Sequence, residues 1–135
     1  MTLKQRVFKT PKVADYPPGH WSNCIRVGDH IWLSGFTARA NDLKTIQHPE
    51  SAFGQAKVIF QKVKDCLEAA DARMCDVVSM TIYVTNMAEN KEIWRARQEF
   101  FSGDFPCSTL VQVASLANPE IKLEITCQAI AGSGV

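Results

Sequence analysis

The sequence predicts an α+β fold in which two helices pack on one face of a mixed sheet. Three observations support this prediction: strand pairs at both ends of the chain, two helical segments in the middle, and a strand rich in β-branched residues between them. The predicted element order is β-β-β-α-β-α-β-β, within a single domain over residues 1–135. Apolar residues make up 46% of the chain, which is sufficient for one core at this length.

The first predicted strands precede the first helix. A short strand is predicted over residues 5–8, and the proline-rich stretch 11–19 is predicted as an extended loop. Two apolar runs within residues 23–34 flank Gly28-Asp29, a tight-turn dipeptide. This pattern predicts a β-hairpin.

Both helices are predicted from the spacing of their apolar residues. Over residues 51–71 apolar side chains recur every three or four positions, and Ser51 is the predicted N-cap. A second helix is predicted over residues 89–101, with an inner side formed by Ile93, Trp94, Arg97, Phe100 and Phe101. Three further strands are predicted over residues 76–85, 108–114 and 121–130.

The strand over residues 76–85 carries apolar side chains on both of its faces. The sheet face without helices therefore needs a cover, because a bare apolar face is unfavourable in water. A cyclic oligomer would supply that cover and would create sites between its subunits.

Charge and cysteine usage exclude several classes of function. The formal net charge of +1 predicts no strongly basic face for nucleic acid. Five widely spaced cysteines include no CxxC pair, so no metal site is expected. No apolar stretch reaches the length of a signal peptide or a membrane span, so we expect a cytoplasmic protein with no membrane partner.

A set of short motifs runs through the chain between residues 23 and 131. They are Ile31-Trp-Leu-Ser-Gly35, Gln55, Leu67-Glu-Ala-Ala70, Asp76-Val-Val78, Thr81-Ile-Tyr-Val-Thr-Asn-Met87, Phe105-Pro106 and Ile121-Lys-Leu-Glu-Ile125. In their order and spacing they resemble the RidA/YjgF family of reactive-imine deaminases. The resemblance implies a chorismate-mutase-like fold and a barrel-like homotrimer with small-metabolite sites in clefts between subunits.

The same resemblance implies a chemistry. Family members hydrolyse enamines or imines, such as 2-aminoacrylate, to a ketoacid and ammonia, and they need no metal or organic cofactor. Other members were described as ribonucleases or translation inhibitors. The expected function is therefore hydrolysis or deamination of a small enamine, imine or related conjugated metabolite. The alternative is a trimer that binds a metabolite without chemistry, and action on nucleic acid is not expected.

The resemblance also assigns the central residues of the site. Glu124 matches the family's acidic residue, which holds or activates the attacking water. Its alternative role is structural, as a carboxylate paired with Lys122 or with an arginine of another subunit. Ser108 stands where deaminating members have an arginine that grips the substrate carboxylate. Loss of such a charge-assisted contact weakens binding by roughly 1.5–3 kcal/mol, so ordinary 2-aminoacrylate is not the expected substrate.

Four more residues belong with Ser108 to the expected substrate-binding set: Trp21, Trp94, Cys107 and Phe36. The two tryptophans replace a tyrosine and an asparagine of the family pattern and favour a flat, apolar or aromatic ligand. Their alternative role is interface packing. Strand alternation points Cys107 away from the side that Ser108 faces, which favours a packed thiol over a nucleophile.

Another cation is a candidate to replace the missing arginine. The candidates are Arg26, Arg39, Arg95 and Arg97. Arg97 shares a helix face with Trp94 and is therefore included among the substrate-binding residues. His20, next to Trp21, is a weaker candidate for proton transfer near neutral pH.

Overall fold

The computed structural model describes residues 5–134, which contain one mixed five-stranded sheet and two α-helices. The strands are β1 (Cys24–Val27), β2 (His30–Leu33), β3 (Val77–Val84), β4 (Cys107–Gln112) and β5 (Leu123–Ile130). The helices are α1 (Ala52–Ala69) and α2 (Asn90–Phe100). The sheet order is β1-β2-β5-β3-β4, with β3 and β4 parallel and every other pair antiparallel. The predicted α+β fold is confirmed.

The strand predicted over residues 5–8 is reduced to a single bridge between Val7 and Ile25. Two backbone hydrogen bonds hold this segment against the outer edge of β1. The chain then turns, with the Val13 amide donating to the Thr10 carbonyl at 3.2 Å. The turn ends the pairing before a ladder can form, so the sheet has five strands where the sequence predicted six.

Helix α1 forms where its apolar stripe predicted it. The Ser51 hydroxyl caps the helix by accepting a hydrogen bond from the Gly54 amide at 2.9 Å. Its buried side packs on β2, β5 and α2. The buried residues are Ala52, Gln55, Ala56, Ile59, Phe60, Val63, Cys66 and Leu67. No helix within residues 5–134 is long and apolar enough to cross a membrane.

Helix α2 buries a narrower stripe than the sequence predicted. Ile93 and Ala96 are buried, whereas the Trp94 side chain is 44% exposed. One residue corresponds to about 100° around a helix, so a tryptophan that follows the buried Ile93 turns away from the core. The predicted place of Trp94 on the inner side of α2 is therefore wrong.

The sheet has one face covered by the helices and one face without helices, which we call the uncovered face. Along β5 the buried residues Leu123, Ile125, Cys127 and Ala129 alternate with Glu124, Thr126 and Gln128. This alternation confirms the predicted placement of Glu124 opposite the core side of β5. Three exposed apolar side chains share the uncovered face by register: Val27, Trp32 and Val111.

The side chain of Gln55 joins α1 to the start of β5. It is fully buried, and its amide nitrogen donates to the Glu120 carbonyl at 2.8 Å. Its amide oxygen accepts from the Lys122 backbone amide, also at 2.8 Å. Both backbone groups lie where β5 begins, so Gln55 fixes the backbone two residues before Glu124.

We expect Gln55→Leu to destabilise the fold, because it leaves a backbone donor and a backbone acceptor without partners. Each unsatisfied buried group costs about 1–3 kcal/mol. Gln61→Leu on the same helix is the matched control, since Gln61 is exposed and bonds only the Asp65 carboxylate. Its unfolding free energy should change by about 0.5 kcal/mol or less. Equal losses in urea unfolding for the two variants would contradict the role given to Gln55.

Candidate active site

A cavity of about 310 Å³ lies at the start of β5. Its walls come from the N-terminal loop, the segment after β2, helix α1 and β5 itself. The walls include the side chains of Trp21, Phe36, Arg39, Lys62 and Glu124, together with the backbone at Gly35. Three of the predicted site residues, namely Trp21, Phe36 and Glu124, are therefore brought together.

Glu124 reaches the cavity because of the glycine opposite it. A Cβ atom built on Gly35 would lie only 3.0 Å from the Glu124 carboxyl carbon, so a side chain at this position would displace the carboxylate. The Phe36 amide donates to the Ile125 carbonyl at 2.9 Å, and the Ile125 amide donates back at 3.1 Å. These two hydrogen bonds hold the Ser-Gly segment against β5.

The Glu124 carboxylate has no hydrogen-bond or ion-pair partner among residues 5–134. Burial raises its pKa above the usual value for glutamate. Lys122, the structural partner considered from the sequence, instead donates to Glu89 at 3.2 Å. Within the chain, Glu124 is thus a half-buried acid that is free to hold water or a proton.

An aromatic cluster stands at the mouth of the cavity. The rings of Tyr16 and Trp21 are 4.2 Å apart between centroids, and the His20 ring meets Trp21 edge-on at 5.9 Å. The His20 Nδ1 atom lies 3.1 Å from the Pro17 carbonyl oxygen, within hydrogen-bond distance. Trp21 is 51% exposed and is therefore available as a wall for a ligand.

Two cations lie in the cavity wall. The Lys62 ammonium donates to the carbonyls of Thr37 and Arg39, at 2.7 and 2.6 Å. Burial lowers its pKa to about 8, and the charge of Arg39 adds to this shift. Both carbonyl contacts favour the ammonium form, so Lys62 is a cation at neutral pH. The sequence did not single out Lys62, because the α1 pattern placed it on the solvent side and gave no sign of a loop folding over it.

Ser108 does not lie in this cavity. It pairs with Met80, which in turn pairs with the buried Cys127, so Ser108 is on the helix-covered side of the sheet. Cys107 pairs with Ser79 and points to the uncovered face, as predicted. Its thiol is exposed within the single chain, so a packed thiol stays a prediction that depends on cover from another copy. Two features expose this thiol: β4 is an edge strand, and Cys107 faces the side of the sheet without helices.

Arg97 and Trp94 are also outside the cavity that holds Glu124. The Arg97 side chain is half-buried, and its Nε atom is buried without a hydrogen-bond partner among the described residues. Burial lowers the pKa of its guanidinium. Ser108, Cys107, Trp94 and Arg97 are thus not joined to Glu124 within one chain. Residues 5–134 contain no cluster of three or more His, Cys, Asp or Glu side chains suited to holding a metal ion.

Comparison with known proteins gives consistent similarities. The sequence pattern of the Endoribonuclease L-PSP family matches residues 12–131. A 2-iminobutanoate/2-iminopropanoate deaminase of Dermatophagoides farinae is 32% identical over 124 residues, which cover 89% of this chain and 93% of that protein. A solved Pseudomonas aeruginosa protein of unknown function is 37% identical with a TM-score of 0.84, covering 96% of this chain and 94% of that one.

A more distant similarity concerns the fold alone. RidA from an Antarctic Psychrobacter species is 23% identical, with a TM-score of 0.83. The match covers 93% of this chain and 99% of that chain.

We expect Glu124→Gln to raise the thermal stability of the chain at pH 8 and not at pH 4. Because the folded-state pKa is raised, the wild type loses stability as the pH rises from the usual glutamate value of about 4.3 through the folded value. Glutamine carries no charge to bury and avoids this loss. Melting curves across a pH series test the expectation, with Glu120→Gln, at an exposed position, as the control. A wild type that melts above the Glu124→Gln variant at pH 8 would rule it out.

Proposed function

The chain belongs to the RidA/YjgF family, and on that premise we propose that it hydrolyses a small imine or enamine to a carbonyl compound and ammonia. The observation that carries this proposal is the Glu124 carboxylate, which is half-buried, lines a cavity and has no ion-pair or hydrogen-bond partner within residues 5–134. A raised pKa brings a carboxyl group closer to the pH at which it can both accept and release a proton. The five cysteines are free thiols, which suits a reducing, cytoplasmic environment.

In the proposed reaction, Glu124 accepts a proton from a water molecule as its oxygen attacks the imine carbon. The proton then passes to the imine nitrogen, which becomes the amine of a tetrahedral carbinolamine. Glu124 then passes the hydroxyl proton of that intermediate to the amine, so that the carbon–nitrogen bond breaks, the carbonyl forms and ammonia leaves. For an enamine, protonation at carbon by the acid form of Glu124 first gives the iminium ion, which becomes the imine when its nitrogen returns a proton to Glu124.

The ligand would lie between aromatic walls. Trp21 and Phe36 supply apolar surface from the same chain as Glu124. The D. farinae relative is named for small imino acids, and this chain would act on a related small imine. Ser108 donates only a neutral hydrogen bond, so it does not by itself hold the carboxylate of a substrate such as 2-aminoacrylate.

The proposed assembly is a homotrimer in which β4 of a neighbouring copy closes the cavity. Two features support this assembly: β4 is largely exposed on both faces, and the uncovered face carries exposed apolar side chains. An edge strand and a bare sheet face are both normally covered in stable proteins. In this arrangement Ser108, Cys107, Trp94 and Arg97 reach the cleft from the neighbouring copy.

We expect Glu124→Gln to lower the enzyme-dependent rate of ammonia release by about 10²–10⁴-fold, because glutamine cannot accept a proton. The substrates are 2-imino acids and uncharged imines that are generated in the assay and followed above their spontaneous hydrolysis. Glu120→Gln is the matched control, since it removes an exposed carboxylate four residues upstream.

Two outcomes would contradict the proposal. An unchanged rate in Glu124→Gln would remove Glu124 from the reaction. A wild type that binds one of these compounds tightly, but releases no ammonia above background from the whole panel, would favour the alternative of a metabolite-binding trimer without chemistry.

A further inference from the structure

Arg39 and Lys62 lie side by side in the wall of the cavity that holds Glu124. Among the described residues, no carboxylate lies within 4.0 Å of either cation. Neighbouring like charges repel each other, and the repulsion grows as water is excluded. A folded chain ordinarily compensates such a pair with an acidic side chain, and within residues 5–134 this compensation is missing.

Lys62 is held in one orientation. Two of its three N–H groups donate to the carbonyls of Thr37 and Arg39, so the ammonium also secures the loop that carries Arg39. The third N–H group has no hydrogen-bond acceptor among residues 5–134. The Lys62 ammonium is thus fixed at the cavity wall, and one of its three N–H groups can donate to a ligand.

The Arg39 guanidinium makes fewer hydrogen bonds among the described residues than the Lys62 ammonium does. Its side chain makes one long hydrogen bond, from Nη1 to the Leu43 carbonyl at 3.4 Å. No other protein partner of its guanidinium lies within the part of the chain that the structure describes. The guanidinium is planar, and most of its N–H donors are unused among the described residues. Its paired N–H groups match the two oxygens of a carboxylate or the oxygens of a phosphate.

We propose that Arg39 and Lys62 form an anion-binding subsite that holds the carboxylate of the ligand in the same cavity as Glu124. This inference rests on the proposed function, because it names the class of imine that would be hydrolysed: a 2-imino acid. The subsite supplies from within the chain the positive charge that Ser108 does not supply.

The cavity limits the ligand. A volume of about 310 Å³ is at the lower end of the range for small-molecule sites, so a compact ligand is expected. Glu124 makes no ion pair with either cation, so the acid and the two cations line the same cavity as separate groups. A compact ligand with a carboxylate next to its imine carbon would present its anion to the cations and its reacting carbon to Glu124 within this one cavity.

The test measures binding, so it does not depend on turnover. Isothermal titration with 2-oxobutanoate, its methyl ester and inorganic phosphate compares the wild type with Arg39→Gln and Arg95→Gln. Arg95 is the matched control because it is exposed and stacks on Phe53, 4.4 Å from the ring centroid, outside the cavity. We expect Arg39→Gln to weaken 2-oxobutanoate binding roughly tenfold to a hundredfold. Arg95→Gln should bind as the wild type does, and the ester should bind weakly to all three proteins.

Several results would overturn the inference. One is a wild-type affinity for 2-oxobutanoate in Arg39→Gln, and another is no binding of 2-oxobutanoate by the wild type. A third uses one more variant, Arg97→Gln: the inference is overturned if this variant loses binding while Arg39→Gln keeps it. Phosphate that binds more tightly than 2-oxobutanoate would overturn the assignment to a carboxylate. Equal melting temperatures of Arg39→Gln and the wild type exclude a folding defect as the cause of weaker binding.

The failure of this inference can be told apart from failure of the proposed function. If Glu124→Gln keeps full activity while Arg39→Gln loses 2-oxobutanoate, only the proposed catalytic role is wrong. If Arg39→Gln keeps its affinity while Glu124→Gln loses ammonia release, only the anion subsite is wrong.

Discussion

Two helices that cover only one face of a five-stranded sheet set the main constraint on this molecule. Strand alternation then places every second residue of β5 on the uncovered face, and Glu124 is one of them. Strand β4, at the edge of this sheet, is largely exposed on both sides. Within one chain, no residue of β4 lines the cavity that holds Glu124. We therefore infer that β4 of a neighbouring copy packs against that cavity.

The cavity at the start of β5 contains charges that the described chain does not neutralise. Glu124 has no partner, and Lys62 and Arg39 have no acid within ion-pair distance in residues 5–134. Burial acts against the charges of Glu124 and Lys62, because it raises the pKa of the acid and lowers the pKa of the ammonium. Groups kept charged at a cost to stability are typical of sites that bind a ligand or move protons.

Local signals in the sequence were sufficient for most of the fold. The Gly28-Asp29 turn predicted the hairpin, and the apolar stripe with Ser51 predicted α1 nearly to its ends. Alternation along β5 predicted the side on which Glu124 lies. These features depend on neighbours within one turn or one strand, which a sequence displays directly.

Contacts between segments that are distant in the chain could not be predicted from the sequence. The exposure of Cys107 depends on β4 being an edge strand, which only the sheet order reveals. The role of Lys62 depends on residues 37–39 folding over α1, and Trp94 faces solvent because α1 packs on the adjacent side of α2. Periodicity indicates which residues share a face and not which segment will cover that face.

The mass of the active protein in solution tests the central claim most directly, since the account requires a site completed by a neighbouring copy. Light scattering during size-exclusion chromatography, with ammonia release measured on the same fractions, should give activity at about 45 kDa, three times the chain mass of 15.0 kDa. Full activity in a species of 15.0 kDa would contradict the account, because a lone chain would then contain the whole site.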